Sequence, residues 1–257
     1  MGDSLGDRMK GYERAAKTTL PGRMPVVVRV DGKAFHTWTR GLTRPFDDGF
    51  MDAMDGVAVS LCEEMQGAVL AYVQSDEISV LLHNYKRLAS AAWFDNEVQK
   101  IVSVSASIAG AEMTRLSADV FGGWMRRAVF DARVFVLPEA DVCNYFVWRQ
   151  QDAARNSIQM VAQSLFSQRE LHGKDCRVLQ EMIFQKGGQN WNDLPIGKRR
   201  GRCVRRIVVP GGFPAWCVDL SIPLFTEDRA YVEQHLAVEP EEPKPVPRFG
   251  ETGGHDG

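Results

Sequence analysis

The order of short apolar runs between residues 24 and 138 constrains this chain more than any other feature. Met24-Pro25-Val26-Val27-Val28-Arg29-Val30-Asp31 is β-branched and stops at Asp31-Gly32, the pattern of a buried strand. Apolar residues then recur at Phe46, Phe50, Met54, Val57, Leu61 and Met65, a helical period, with Asp47 and Asp48 in the first turn where acids favour a helix start. Ala68 to Gln74 and Glu77 to Leu82 are two β-rich runs around Ser75-Asp76, which reads as a hairpin. A second amphipathic helix is predicted with Phe94, Val98, Ile101, Val102, Ile108 and Ala109 on its apolar face. Asp131 to Leu137 reads as a fourth strand, stopped by Pro138.

The resulting order, β-α-β-β-α-β, is the split-βαβ or ferredoxin-like arrangement. It is also the order of polymerase palms and nucleotidyl cyclases. The chain therefore reads as α+β, with a palm-like core over 1–138 and a mainly helical second half over 139–238. That second half opens with a long amphipathic stretch from Val142 to about Leu171. A glycine- and base-rich segment from Gly187 to Arg206 follows, then short strands near Arg206 to Val209 and Trp216 to Leu220. Residues 239–257 are rich in Pro, Gly and Glu and are expected to be a disordered tail.

Composition excludes several classes. No run approaches the roughly 18 apolar residues of a membrane span, and nothing near the N-terminus reads as a signal peptide, so a soluble, cytoplasmic protein with no membrane partner is expected. Cys62, Cys143, Cys176, Cys203 and Cys217 are odd in number and widely spaced, which argues against a disulfide framework or a short-spaced zinc site. The net charge of −2 hides a local excess: Lys198, Arg199, Arg200, Arg202, Arg205 and Arg206 place six cations within ten residues. A nearly neutral protein can still present a basic face.

Asp31 closes the first strand and Asp76 sits in the hairpin turn. In a ferredoxin-like sheet the first strand lies beside the third, so both acids reach one edge. Two converging carboxylates, completed by a carbonyl such as that of Gly32, make a site for hard divalent cations. Glu77 falls on the other face of a regular strand and is expected to support the site from behind. Each acid alone is also compatible with an ordinary turn.

The literal residues go further. Arg29-Val30-Asp31-Gly32-Lys33-Ala34-Phe35-His36 resembles the Arg-x-Asp-Gly-x-x-Phe-His motif of the tRNAHis guanylyltransferase family. Gln74-Ser75-Asp76-Glu77-Ile78-Ser79 resembles its Gln-Ser-Asp-Glu-x-Ser motif at a matching distance. Trp93-Phe94 with Lys100, Phe130-Asp131-Ala132-Arg133-Val134, Trp148-Arg149-Gln150-Gln151-Asp152 and Asn190 to Gly197 have counterparts in the same order. The resemblance covers about residues 7 to 225.

What the resemblance implies is specific. Asp31, Gly32 and Asp76 would hold two Mg²⁺, with Asp31, Asp76 and Glu77 as the catalytic acids. Asp31, Gly32, Lys33, Ala34, Phe35, His36, Ser75, Asp76 and Lys100 would meet the nucleotide. Phe35 can instead be core, His36 a structural histidine and Lys100 a solvated helix lysine. Arg149, Arg155, Asn156, Lys198, Arg199, Arg200 and Arg202 would meet tRNA, the rival for the basic run being a solvated loop. The implied reaction is 3′-to-5′ addition of nucleotides from GTP or other NTPs to a tRNA 5′ end activated by ATP. A homotetramer is implied as well.

One departure bears on substrate. After Trp-Arg-Gln-x-Asp, the eukaryotic enzymes read Cys-His-Ile-Asn-Asn. This chain reads Ala153-Ala154-Arg155-Asn156-Ser157, matching only at Asn156. The pattern is like the branch that restores truncated tRNA 5′ ends by templated pairing. It favours repair over addition of the extra guanosine to tRNAHis, while the intact Asp31 and Asp76 favour both over a non-catalytic RNA-binding protein on the same fold.

Overall fold

A computed structural model describes residues 4–238; the expected tail over 239–257 lies outside the described residues. The elements run α1 (Leu5–Ala15), β1 (Val26–Gly32), α2 (Phe35–Trp38), α3 (Asp48–Glu64), β2 (Ala68–Gln74), β3 (Glu77–Leu82), α4 (Val98–Val120) and β4 (Phe130–Val136). They continue with α5 (Glu139–Leu165), α6 (Gln168–Leu171), α7 (Cys176–Gly187), α8 (Ile196–Arg200), β5 (Arg202–Val208), β6 (Pro214–Asp219) and α9 (Ala230–Glu233). Together they build one antiparallel sheet in the order β4-β1-β3-β2-β5-β6. Its first four strands are the ferredoxin-like core that the element order predicts.

Alternation along β1 explains why its run of valines is uninterrupted. Val26, Val28 and Val30 enter one core with Met54, Val57, Leu61, Ile101 and Met113 of α3 and α4. Val27 enters a second core on the opposite face with Val142, Cys143 and Phe146 of α5. A strand covered on both faces has no solvent side to mark with polar residues. α3 starts where Asp47 caps it, accepting from the Phe50 amide at 2.9 Å and the Thr43 amide at 3.0 Å.

Three local expectations are corrected. Phe94 lies in a 3₁₀ turn before α4 and is exposed, because the helix starts only at Val98. The stretch from Val142 to Leu171 is two helices. α5 stops at Leu165, and a Ser167–Glu170 capping box starts α6. The late strands begin earlier than expected, and β5 pairs with β2. The second half thus adds two strands to the sheet of the first. No helix among the described residues is long and apolar enough to cross a membrane.

Candidate functional site

The two turn acids meet because β1 pairs with β3. The Gly32 amide donates to the Asp76 carbonyl at 3.0 Å, locking the end of β1 to the hairpin turn. A Cβ on Gly32 would come within 2.4 Å of the Phe35 ring, so this turn admits no side chain there. The turn itself bends at Ser75, with φ of 47°. The Ser75 hydroxyl donates to Asp76 Oδ1 at 3.0 Å. Burial pushes the Asp76 carboxyl above its ordinary pKa, and the negative charges of Asp31 and Glu77 push the same way. Among the described residues no cation forms an ion pair with Asp31 or Asp76. Oxygen donors with unmet negative charge fit a hard divalent cation. No set of three His, Cys, Asp or Glu side chains clusters there among the described residues, so carbonyls, water or phosphate would complete such a site.

Glu77 is not free to join them. It sits 9% exposed beneath α5, where Arg149, 6% exposed, clamps it with both arms: Nε to Oε1 and Nη2 to Oε2, each 2.7 Å. Gln74 donates to Oε1 at 3.2 Å, and Arg29 lies 3.9 Å from Oε2. Arg149 also reaches Asp152 at 3.0 Å, whose other oxygen accepts from Arg155 at 2.7 Å. Glu77 is therefore a buttress one residue from Asp76. The expectation that Arg149 meets tRNA gives way to this internal role.

Asp76 opens onto a pocket of about 380 Å³ between the hairpin turn, the segment from Phe35 to Met51, α5 and the start of β5. Phe35, His36, Ser75, Asp76, Asn156, Lys198 and Arg202 from the sequence reading all line it. Phe35 does so from the core: it is 3% exposed, stacked on Trp38 at 5.0 Å and tilted against Phe130. His36, Lys33 and Ala34 are exposed, Ala34 with φ of 58°. Asp31, Gly32, Lys33 and Ala34 form the adjoining turn rather than the pocket wall.

Sequence reasoning missed the outer wall, Thr39 to Met51, and the α5 residues Met160 and Gln163. Asp47 was legible only as a helix start. Burial alone would raise its pKa, but amide donation from Phe50 and Thr43 holds it low, so the same carboxylate ties the chain at Thr43 to the first turn of α3.

The basic segment divides. Arg202 is 3% exposed and forked onto Asp55 at 2.7 and 2.8 Å, which removes it from any RNA surface. Lys198 pairs with Asp48 at 2.6 Å on the pocket rim. Arg199 donates to the Leu194 carbonyl at 2.7 Å and lies over Trp191. The Arg200 side chain is half-buried without an ion pair among the described residues. Ser157, one of the departing residues, is buried and accepts from Trp191 Nε1 at 3.0 Å. Lys100 is displaced: it pairs with Glu97 at 3.6 Å beside Asn96, which bonds Asn84 just beyond β3. That is the sheet end opposite Asp31 and Asp76, about 20 Å away at the rise of a six-residue strand.

A ferredoxin-like sheet whose hairpin turn places Asp76 in a pocket wall, with Asp31 of the first strand in the adjoining turn, is an α+β fold of the palm type. The family model described as tRNAHis guanylyltransferase matches residues 6–138. The chain belongs to that family of nucleotidyltransferases. A probable tRNA(His) guanylyltransferase of Drosophila melanogaster is 29% identical over 199 residues, spanning 70% of this chain and 66% of that one. A solved bacterial tRNA(His) guanylyltransferase-like protein in complex with ATP is 43% identical, with a TM-score of 0.86 over 92% of this chain and 100% of that one. A bacterial guanylyltransferase-like structure in complex with GTP is 42% identical over the same shares, with a TM-score of 0.79.

Proposed function

We propose that this protein adds nucleotides in the 3′-to-5′ direction to an activated tRNA 5′ end, repairing truncated ends against the opposite strand as template. The observation that carries the reading is the pair of unpaired carboxylates, Asp31 and Asp76, beside a pocket of nucleotide size in a chain so similar to proteins solved with ATP and GTP. In the reaction the 3′-hydroxyl of the incoming nucleotide attacks the phosphorus of the activated 5′ end. A new P–O bond forms as AMP or pyrophosphate leaves, according to whether the end was adenylylated or carried a triphosphate. Asp31, Asp76 and the Gly32 carbonyl would hold two Mg²⁺, which lower the pKa of the attacking hydroxyl and neutralise charge on the leaving group.

The chain's own residues position the reactants. Lys33 and the exposed backbone of its turn are placed for phosphates, while Ser75, His36 and Asn156 face the nucleotide in the pocket. Arg155, Lys198, Arg199 and Arg200 remain as cations for tRNA phosphates, without Arg149 and Arg202. A cytoplasmic homotetramer completes the reading by family likeness.

Addition of the extra guanosine to tRNAHis is the second reading. Repair is favoured because Ala154 and Ser157 replace the His and Asn of the guanosine-adding pattern, and Ser157 is committed to Trp191. The test is to incubate the protein with Mg²⁺, four NTPs and labelled 5′-monophosphorylated tRNA lacking its first nucleotide, alongside intact tRNAHis. Extension of the truncated tRNA, lost in Asp76→Ala, supports repair. Addition to intact tRNAHis alone supports the second reading. NTP consumption with neither product sinks both.

A further inference from the structure

We propose that the loop between α4 and β4, residues 121–129, is a stacking platform for a nucleobase at the end of the RNA that this protein extends. The inference rests on the RNA-end reading above and adds to it a contact outside the pocket.

The loop is fastened at both ends beside the catalytic turn. Gly122 and Gly123 take the chain out of α4 through the left-handed region, with φ of 61° and 99°. The Arg126 amide donates to the Ser117 hydroxyl at 2.6 Å. Its guanidinium donates to the Trp38 carbonyl and lies 3.9 Å over the Phe121 ring centroid. Further on, the Ala128 amide donates to Thr114 Oγ1 at 3.0 Å, and the Val129 carbonyl accepts from the Lys33 amide at 2.8 Å. That last bond ties the loop to the turn that follows Asp31-Gly32.

Between these ties the side chains face water. Trp124 is 81% exposed and Met125 72% exposed, although the loop around them is well held. Arg127 is exposed with no ion pair among the described residues. Lys33 and Arg133 stand near the loop as well, Arg133 3.9 Å from Asp131, whose strand partner is Asp31, so cations and the carboxylates that would hold metal ions share this edge. An open indole beside unneutralised cations, next to the site where the RNA 5′ end must sit, has the chemistry of a base-and-phosphate contact. A purely apolar partner would strand Arg127 without a counter-charge.

The experiment uses the full-length protein, a 5′-phosphorylated RNA hairpin labelled at its 3′ end, and the variants Trp124→Ala, Trp124→Phe and Arg127→Gln. Trp124→Ala is expected to weaken RNA binding about tenfold and to raise KM for RNA, while ATP affinity stays unchanged. Trp124→Phe, which keeps a ring, retains most of the affinity. Arg127→Gln weakens binding and lowers the slope of log affinity against log salt by about one. RNA affinity of Trp124→Ala within about twofold of the parent overturns the proposal. So does a change in its sedimentation without RNA, which assigns the loop to contact between copies of the chain. A parent protein that binds RNA through Trp124 but extends no 5′ end keeps the platform and sinks the catalytic reading instead.

Discussion

The two ends of the sheet treat their ionisable groups in opposite ways. At the Gly32 end, Asp31 and Asp76 converge without a cation, and burial raises the proton affinity of Asp76. At the Val26 end, acids are satisfied: Glu97 lies 3.0 Å from Lys17 and 3.6 Å from Lys100, and Glu139 accepts from the Tyr85 hydroxyl at 2.6 Å. There the buried atoms with unmet capacity include His83 Nε2 and His235 Nε2, which have no hydrogen-bond partner among the described residues. The same strands thus carry charge repulsion at one end and neutral, desolvated imidazoles at the other. An enzyme that must bind cations and phosphates keeps unmet charge only where the ligand will supply the counter-charge.

Breaking the acidic end is expected to have the largest effect. Asp31→Ala or Asp76→Ala should lower 5′-extension roughly 10³-fold or more, since several kcal/mol of transition-state stabilisation depends on the ions they would hold. Thermal unfolding of the Mg²⁺-free variants should occur at the same temperature or higher, because one of two half-buried carboxylates of like charge is gone. Residual extension within about tenfold of the parent would remove these acids from the mechanism. The second effect separates buttress from ligand. Arg149→Met leaves buried Glu77 with only the Gln74 amide and the more distant Arg29, so denaturant unfolding should show a loss of about 3 kcal/mol. The double variant Glu77→Gln with Arg149→Met should recover much of it, and a single variant as stable as the parent would show the fork to be idle.

These contrasts set out what was legible in the sequence. Asp31 and Asp76 could be read because both sit at turns between strongly patterned strands, where local chemistry places them. The four-strand core was legible for the same reason. Arg149 and Arg202 were misread as RNA contacts because each is buried with its guanidinium on a carboxylate 72 or 147 positions away, Glu77 or Asp55. Charge in a sequence defaults to surface, and nothing local reveals a distant partner. β5 was half hidden on the same account, since Arg202, Arg205 and Arg206 interrupt Cys203-Val204 and Ile207-Val208. Lys100 was assigned to the wrong end because a motif's order does not say which end of the sheet its helix starts from.

The third effect is a pair of opposed pH dependences. A carboxyl whose folded pKa is raised, as in Asp76, keeps a proton that the unfolded chain releases. Its contribution to stability therefore falls as pH rises from the ordinary carboxylate value through the raised one. His235 is lowered by burial, and secondarily by Arg205, from 6.5 to about 4, and burial lowers His83 too, against the His235 carbonyl and Glu139. The unfolded histidines take up protons that the folded ones refuse, so stability falls as pH drops from 6.5 towards 4. Unfolding free energies across that range should lose part of their acid sensitivity in His235→Gln, His83 keeping the rest, while Asp76→Asn should remove the opposite slope. Each group contributes at most about 1.4 kcal/mol per pH unit. Parallel profiles for parent and variants would dissolve the contrast between the ends.

The smallest effect tests whether the Val26 end is structural alone within one chain. Tyr85 is 5% exposed, packs edge-on against His83 at 4.2 Å and donates to Glu139 at the first turn of α5. Tyr85→Phe keeps the ring and removes the donor, so the loss should be about 1 kcal/mol, the net worth of one hydrogen bond. Glu139 stays on the surface, where water replaces the phenol, so no buried charge is stranded. The rate of 5′-extension should match that of the parent at saturating nucleotide, because the change lies a strand's length from Asp76. A fall in rate without a matching fall in stability would mean that the two ends of the sheet are coupled, through β3 or through α5 and its Arg149 fork.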